Sequence, residues 1–536
     1  MNAFKCPNCA GDVRYDIRKA VMCCEHCGSE IRREAYQAWL DAHSLYAADE
    51  LICPQCGAAL LRSDDTLATF CCYCGSSVSF SHQNRVSVKP DGIIPFSITA
   101  EEALRCYRAK LKNAFFAPDR MTEDGEKRLI GIYMPYYAFT ADAEEEISTV
   151  GTRTSLSQAN AEEEYRLRFS LQARYSGIHF DAAKAFPDFL SESVDSFCDD
   201  GSKGLKPFES SYLAGYYADS GNTDQALYGK LVTQLVSEDL RNGDWECEGF
   251  RLQSHAQQPK IRTETKKNLY PVWLITHRWG DRVSYAAVNG QNGKTAVEIP
   301  TDKKKYLCVS LIFAALLSLI LNFLWTFPPL PFLILSGVLL LLMSLRLIVQ
   351  YRALYVRQQR LDDIGWLGAA PDSSKAELKQ RNLAELIKKL STLMLSLLLI
   401  GLPCLAILSI VFSGSRSLFW SLSKYWYLIP IACFVVGIQI SSLKRIRGSW
   451  RNRQIWRYWV PWKAVLKACW RCIPGLAMVL IVIFSGSVDD NLYYCAALLN
   501  LGLAVWSVFE LFEAQNLLMT RDIPVFTEKR GGAEDA

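Results

Sequence analysis

The hydrophobic positions are concentrated in the C-terminal part of the chain. Six apolar stretches follow a run of three lysines that ends at Lys305. Each has about 18–23 residues, which as a helix can cross a hydrocarbon core of roughly 30 Å. The stretches lie at about 306–327, 330–349, 390–412, 425–443, 468–485 and 492–511. The pattern predicts an all-α six-helix transmembrane domain over residues 303–515, followed by a tail at 516–536.

The polar–apolar pattern before Lys303 is typical of a soluble α+β middle domain, which we place at residues 85–302. Thr99 and Glu102 have the spacing of a capping box before a helix with a single apolar stripe. Runs that alternate, or that are rich in β-branched and aromatic residues, predict strands. These strands are predicted at 128–139, at 164–180 and within 268–300, and a further helix at 223–240.

The N-terminus carries the cysteine pattern C-x2-C-x14-C-x2-C twice, at an offset of 47 residues. The first copy consists of Cys6, Cys9, Cys24 and Cys27, and the second of Cys53, Cys56, Cys71 and Cys74. Two close pairs of thiolates can surround one tetrahedral Zn²⁺, so we predict two structural zinc ions per chain. A disulfide pair and a redox-active pair are the alternatives. Cys23 and Cys72 belong to neither set.

These copies predict two small zinc ribbons, at residues 1–29 and 51–84, joined by a helical spacer at 30–50. Ten of the 19 cysteines lie in the first 74 residues. That distribution suits reduced thiolates in a reducing compartment better than a secreted disulfide framework. The net charge of +4 is too small to imply a nucleic-acid partner by itself.

Charges between the apolar stretches predict the orientation in the membrane. The loops at 350–389 and 444–467 each carry eight Lys or Arg residues, whereas the opposite connections carry few. The positive-inside rule then predicts a multi-pass membrane protein with both termini in the cytoplasm. Basic and tryptophan side chains in the second loop are expected to anchor it at the membrane surface. These anchors are Arg445, Trp450, Trp456, Arg457, Trp459 and Trp462.

Catalytic patterns are not found in the sequence. The chain has no HExxH or GxSxG motif, and the glycine-rich stretch from Gly290 to Lys294 lacks the spacing and the hydroxyl of a P-loop. Uncharged polar residues within the apolar stretches, such as Asn500, favour helix packing over transport. The lone C-x2-C pair at Cys469 and Cys472 is a weak signal. We therefore expect a protein that is not an enzyme.

Several motifs occur together in one order. After the cysteines come GIIPFSITAEEAL from Gly92, IGIYMPYYAF from Ile130, KPFESSYLAGYYAD from Lys206, YPVWLITHRW from Tyr270 and AVNGQNGK from Ala287. With membrane segments after them, this order resembles the bacterial TFIIB-type zinc-ribbon membrane proteins, some of which are labelled primosomal helicase. The resemblance covers about residues 1–305 and implies a role in membrane-surface assembly or envelope stress.

The sequence therefore favours a non-enzymatic docking scaffold. Its expected partners are the lipid bilayer and other membrane or membrane-associated proteins. A membrane-tethered nucleic-acid-binding protein is the alternative, because zinc ribbons often bind nucleic acid, and it predicts a basic ribbon face. A transporter is a weaker third hypothesis.

Overall fold

The structure is a computed structural model, and it describes most of the N-terminal 360 residues and two C-terminal segments. The described residues are 4–42, 49–52, 59–62, 68–70, 73, 77–79, 81–83, 90–124, 129–154, 162–184, 186–198, 204–219, 221, 223–242, 246–247, 250–252, 259–279, 282–324, 328–358, 363, 470, 472–485 and 489–522. The chain divides into two compact units, one of residues 1–300, 363–368 and 519–536, the other of residues 301–362 and 369–518.

The first unit is rich in β-structure. Its strands are β1 (Val13–Asp16), β2 (Val21–Cys24), β3 (Glu30–Arg32), β4 (Asp49–Ile52), β5 (Ala59–Arg62), β6 (Ala68–Phe70), β7 (Ser77–Ser79), β8 (Ser81–Gln83), β9 (Gly92–Ile93), β10 (Leu129–Thr154), β11 (Glu162–Asp181), β12 (Lys206–Pro207), β13 (Tyr217–Asp219), β14 (Glu246–Cys247), β15 (Phe250–Leu252), β16 (Lys260–Trp279), β17 (Arg282–Asn289), β18 (Thr295–Val297) and β19 (Arg521–Asp522). Its helices are α1 (Arg33–Ala42), α2 (Ala100–Lys112), α3 (Asp119–Asp124), α4 (Asp188–Val194) and α5 (Gln225–Asn242), with a 3₁₀ helix at Ser210–Leu213.

Strands β10, β16 and β17 form the centre of the main sheet. β16 pairs antiparallel with β10 from Leu129↔Ile275 to Glu144↔Lys260, and with β17 on its other side. Ten consecutive residues of β16, Asn268 to His277, are buried, because both faces of this part of the sheet are covered. Continuous burial explains why the stretch is mostly apolar rather than alternating, with Asn268, Thr276 and His277 as its buried polar residues.

One helix lies on each face of this sheet. On one face, α2 contacts β17 and β18 and contributes Ala103, Tyr107 and Leu111 to the core. Thr99 and Glu102 cap this helix reciprocally, which confirms the predicted capping box. On the opposite face, α4 contacts the same strands and contributes Leu190 and Val194. The predicted strands at 128–139 and 164–180 are confirmed as parts of β10 and β11, and the helix at 223–240 as α5.

The AVNGQNGK stretch forms the turn between β17 and β18. The buried Asn289 accepts hydrogen bonds through Oδ1 from the backbone N–H groups of Gln291 (2.8 Å) and Asn292 (3.2 Å), and its Nδ2 donates to the carbonyl of Val194 (2.9 Å). The turn thus holds its own shape and fixes the end of α4. This glycine-rich stretch is structural, and its geometry is that of a turn rather than a phosphate loop.

Replacing Asn289 by alanine should lower the free energy of unfolding by about 2–4 kcal/mol, because three buried hydrogen bonds are lost. Thermal or denaturant unfolding of the full-length protein in detergent would measure the change. Lys294→Ala is the matched control, since its exposed Nζ donates a single bond to the carbonyl of Asp195 (2.7 Å). An Asn289→Ala variant as stable as that control would contradict the structural role of the turn.

The strands β10, β11 and β16 continue beyond the core as an extension that we call the arm, formed by residues 141–154, 162–175 and 260–267. A bulge sets it off from the core, because Ser176 and Gly177 together oppose Thr140, and Gly177 has φ +71°. Helix α5 packs on one face of the sheet where the arm begins. Its Tyr228 ring contacts Tyr137 at a centroid distance of 5.8 Å.

The chain returns to the first unit after the helical unit has been completed. Strand β19 pairs with β17 through Arg282↔Asp522 and Val283↔Arg521. The Arg521 guanidinium lies 3.2 Å from the fully buried carboxylate of Glu298 and 3.4 Å from that of Asp363. A buried carboxylate is costly without such a partner. Part of the predicted C-terminal tail is therefore a strand of the soluble domain.

The second unit is helical. Its described helices are α6 (Lys303–Leu324), α7 (Pro329–Gln358), α8 (Cys472–Ser485) and α9 (Asp490–Leu518). Asn500 on α9 is fully buried and its Nδ2 donates to Ser336 Oγ on α7 (3.4 Å), as expected for a polar residue that packs helices. At the ends of the unit, Thr301 N–H donates to Asn516 Oδ1 (2.8 Å), and Asn516 Nδ2 donates back to the Thr301 carbonyl (3.1 Å).

The prediction of an all-α six-helix transmembrane domain is wrong. In the part of the chain that the structure describes, two helices are long and apolar enough to cross a membrane, Phe332–Gln358 and Asp490–Leu518, and a large β-rich sheet domain accounts for much of the rest. The stretch predicted at 468–485 contains helix α8, whose described part, Cys472–Ser485, has 14 residues. The predicted spans at 390–412 and 425–443 lie outside the described residues.

Candidate metal centre

The first cysteine set lies at the turns of a small three-stranded sheet. β1 pairs with β2, and β2 with β3, in antiparallel register. Each C-x2-C pair sits in a tight turn closed by a backbone bond, from Ala10 N–H to the Cys6 carbonyl (2.8 Å) and from Gly28 N–H to the Cys24 carbonyl (3.0 Å). Ala10 and Gly28 both have positive φ, 57° and 70°. The glycine after the last cysteine therefore has the conformation that the sequence predicts.

The four sulfur atoms of this set form one cluster. Cys6, Cys9, Cys24 and Cys27 have Sγ atoms within 4.8 Å of one another. The Cys6–Cys27 distance is 3.7 Å and the Cys9–Cys24 distance is 3.5 Å. Four sulfurs at ~2.3 Å from a tetrahedral ion are about 3.8 Å apart, so the cluster fits one metal ion. Four protein ligands fill such a shell and leave no open position for a substrate.

Neighbouring polar groups favour the thiolate form at part of the cluster. The Ser29 hydroxyl lies 3.0 Å from Cys27 Sγ, and with the Ser29 backbone N–H it lowers the pKa of Cys27 to about 6. Cys9 accepts a hydrogen bond from Gly11 N–H (3.4 Å), which lowers its pKa, but the nearby Cys27 sulfur and the other cysteines raise it to about 12. Four adjacent thiols therefore cannot all ionise easily unless a cation compensates their charge.

The two remaining candidates near this cluster are not part of it. Cys23 lies on β2 opposite Arg14 and Glu30, and burial raises the pKa of its thiol. His26 is exposed between two ligands. Cys23 thus fits the sequence interpretation of a cysteine outside the ligand set.

The second cysteine set, Cys53, Cys56, Cys71 and Cys74, lies outside the described residues, as does Cys72. The strands that flank it are described, and they repeat the register of the first copy. Ala68↔Ser79, Thr69↔Val78 and Phe70↔Ser77 correspond, at the offset of 47, to Val21↔Arg32, Met22↔Ile31 and Cys23↔Glu30. Ile52↔Ala59 likewise corresponds to the bridge Lys5↔Asp12. The strands that flank the cysteine pairs in sequence therefore have the same register in both copies.

The first ribbon packs tightly against the 3₁₀ helix Ser210–Leu213. Tyr15 N–H donates to the Ala214 carbonyl (3.2 Å), and the rings of Tyr15 and Tyr212 meet edge to face at 5.4 Å. The Arg33 guanidinium lies over the Tyr212 ring, 4.7 Å from its centroid. Cys6, Cys24 and Met22 belong to the same buried cluster as Tyr212 and Tyr133. The ribbon thus shares a core with the α+β domain rather than folding as a separate module.

The second ribbon contacts the chain just after this 3₁₀ helix. Strand β5 pairs with β13 through Ala218↔Leu61 and Asp219↔Leu60. Tyr73, which directly precedes Cys74 in sequence, is fully buried in the domain core. Its hydroxyl bonds Asp219, and its carbonyl accepts a hydrogen bond from Tyr285 OH (2.5 Å). The KPFESSYLAGYYAD stretch is therefore the segment on which both ribbons converge.

Sequence inspection missed Tyr73, although the repeat contains a signal. Tyr73 occupies the position that His26 has in the first copy. An aromatic residue in place of a polar one inside a metal-binding turn is a reason to expect that the two turns face different surroundings. No sequence signal of this kind identifies Asp219 or Arg521.

The basic residues of the first ribbon are largely neutralised within the protein. Lys5 pairs with Asp12 (2.7 Å), Arg18 with Glu101 (2.7 Å), Lys19 with Glu30, and Arg33 with Glu209. Arg14 lies 4.0 Å from Glu25 and 5.9 Å from the centre of the Tyr216 ring. A nucleic-acid phosphate would have to compete with these carboxylates for the five basic residues named.

The other sequence candidates are only partly covered by the structure. Cys472 begins α8, whereas Cys469 lies outside the described residues. The predicted membrane-surface anchors also lie outside them. These residues are Arg445, Trp450, Trp456, Arg457, Trp459 and Trp462.

Comparison with known proteins finds one distant relative. The uncharacterized protein YdjG of Bacillus subtilis (strain 168) is 26% identical over 319 residues, which cover 56% of this chain and 91% of the relative. No protein-family model and no solved structure matches the chain. The chain is thus similar to nearly the whole length of this Bacillus protein.

Proposed function

We propose that this protein is a membrane-attached docking scaffold in which zinc holds the binding surface in shape. The observation that carries the proposal is the closed four-cysteine cluster, whose ribbon shares a buried core with the α+β domain. A metal in such a site stabilises structure, because every coordination position is taken by the protein. The scaffold is not an enzyme in this proposal.

Zinc is the ion that we propose, with two per chain. Four thiolates in a tetrahedral arrangement are typical of structural zinc, and soft ligands disfavour magnesium and calcium. The shared strand register of the two copies supports a second site formed by Cys53, Cys56, Cys71 and Cys74. Elemental analysis of the purified protein should give two zinc ions per chain, and one would remove the second site from the proposal.

We further propose that helices α7 and α9 attach the protein to the bacterial inner membrane, with the ribbons in the cytoplasm. Because β19 pairs with β17, the residues before and after the helical unit belong to one folded domain. This supports placing both of them on the same side of the membrane. Reduced thiolates at the metal site suit the cytosol.

The docking role can be tested at the exposed turns of the first ribbon, residues 7–10 and 25–28. Affinity purification from chemically cross-linked membranes should recover a reproducible protein partner with the full-length chain. The double variant Asn8→Arg, His26→Arg should lose that partner while keeping its zinc. Lys112→Glu, an exposed change on α2, is the control and should keep both.

Failure to recover any reproducible partner would argue against a scaffold. Recovery of DNA or RNA that depends on the exposed turns would instead favour the membrane-tethered nucleic-acid-binding protein. Binding of that kind should weaken steeply as the salt concentration rises.

A further inference from the structure

The arm presents an open sheet edge along β11. Among the described residues, β11 pairs with β10 alone, so its outer side has no strand partner there. Alternate residues of such an edge point their N–H and carbonyl groups outward, which makes the edge a template for another strand. Residues 164–174 give an edge of about 36 Å.

The opposite edge of the arm is protected against such pairing. Residues 260–267 of β16 carry three lysines and one arginine in eight positions. Lysines on an edge strand discourage association because their charges repel and stay hydrated. Residues 164–174 of β11 contain no lysine. These residues of β11 also carry three arginines and one glutamate, so the choice of β11 rests on how its charges and its apolar face match a partner.

One face of β11 is apolar beyond the reach of α5. The odd-numbered positions from Phe169 to Ala173 lie on the same face as Ala143 and share it with α5. Tyr175 OH donates to Asp239 near the C-terminal end of α5 (2.8 Å). The three residues after Asp239 add about 4.5 Å of helix. Phe169 and Leu171 lie about 13–20 Å farther along the strand and are half-buried.

The charges of β11 match those of a second copy of itself. In an antiparallel pair centred on Phe169, Glu164 faces Arg174, Arg166 faces Gln172, and Arg168 faces Ser170. On the apolar face, Leu167 then faces Leu171, and Phe169 faces Phe169. Opposite charges directly across two strands stabilise the pair, and like charges destabilise it.

Neighbouring registers lose this match. A shift that centres the pair on Arg168 places that arginine opposite itself. A shift that centres it on Ser170 places Arg166 opposite Arg174. A register shifted by one residue places the apolar side chains of the two copies on opposite faces of the joined sheet.

We propose that β11 of one chain pairs antiparallel with β11 of a second copy, centred on Phe169, and that the protein forms a two-fold dimer through the arm. The pairing joins the two arms into one continuous sheet with a shared apolar face. Such an isologous contact is self-complementary by symmetry.

Cysteine cross-linking tests the register directly. At the centre of the pair the Cα atoms of the two Phe169 residues are about 4.5–5.5 Å apart, which suits a disulfide. Full-length Phe169→Cys in detergent should therefore give a covalent dimer on mild oxidation. Ala173→Cys is the control on the same face, because its two copies lie about 26 Å apart. Wild type sets the background from native cysteines. Equal cross-linking of both variants, or none of Phe169→Cys, would overturn the proposal.

A charge exchange tests the same pairing without cysteines. Arg174→Glu places two acidic side chains opposite each other and should raise the dimer dissociation constant roughly tenfold. The double variant Glu164→Arg, Arg174→Glu should bring it back to within about threefold of wild type. Arg174 also lies 3.6 Å from Asp142 in its own arm, and the double variant does not rebuild that contact. Analytical ultracentrifugation would measure the constants. A monomeric wild type, or no recovery in the double variant, would refute the dimer.

Discussion

Replacing Cys6 by serine is expected to remove one metal ion per chain and to unfold the first ribbon. Structural zinc contributes roughly 10–16 kcal/mol of apparent binding free energy in small ribbons. That amount matches or exceeds the 5–15 kcal/mol that stabilises a whole domain, so its loss should release the ribbon from the core that it shares with the α+β domain. The packing of α7 against α9 should remain, because it is formed within the second unit.

Hydrogen exchange and elemental analysis would measure this result together. Protection should fall in β1 to β3 and also at Ser210–Leu213, because Tyr15 and Arg33 cover Tyr212 there. Cys23→Ser is a closely matched control, since Cys23 is next to a ligand but outside the sulfur cluster. It should keep the full metal content. Normal metal and normal protection in Cys6→Ser would contradict the structural role of the cluster.

Replacing Tyr73 by alanine is expected to cost about 3–5 kcal/mol, because a fully buried aromatic ring leaves a cavity. The loss should appear as reduced exchange protection in β5 and β13, where the second ribbon pairs with the domain. Tyr73→Phe keeps the ring and removes only the hydroxyl that bonds Asp219. It should cost a smaller amount, about 1–3 kcal/mol.

The first copy of the repeat provides the control for Tyr73. His26→Ala changes the corresponding position, which is exposed, and should alter the free energy of unfolding by less than about 0.5 kcal/mol. Denaturant unfolding of the full-length protein in detergent would compare the three variants. Equal effects of Tyr73→Ala and His26→Ala would mean that the second ribbon is not anchored through this side chain.

Local features of the fold could be predicted from the sequence because nearby residues determine them. The capping box at Thr99 depends on a side chain three residues away, and the alternation in β11 depends on its own two faces. The first metal cluster was predictable for the same reason. Its four ligands lie within 22 residues, and their spacing alone allows them to meet.

Features that depend on distant partners could not be predicted in this way. Burial of Tyr73 requires Asp219, 146 residues away, and β19 is only two residues long with no pattern of its own. The six-helix prediction failed for a related reason. Hydropathy counts apolar residues but does not reveal that the chain after α9 returns to the sheet.

The pairing of β19 with β17 has a consequence for synthesis on the ribosome. Thr520 bonds Arg282 and follows it by 238 residues, which at about 5–20 residues per second take roughly 12–48 s to translate. Throughout that interval the edge of β17 lacks β19, and the Glu298 carboxylate lacks the Arg521 guanidinium. The soluble domain of a nascent chain can therefore close only after the helices have been made, so a truncated product keeps an open edge that cellular proteases and chaperones can recognise.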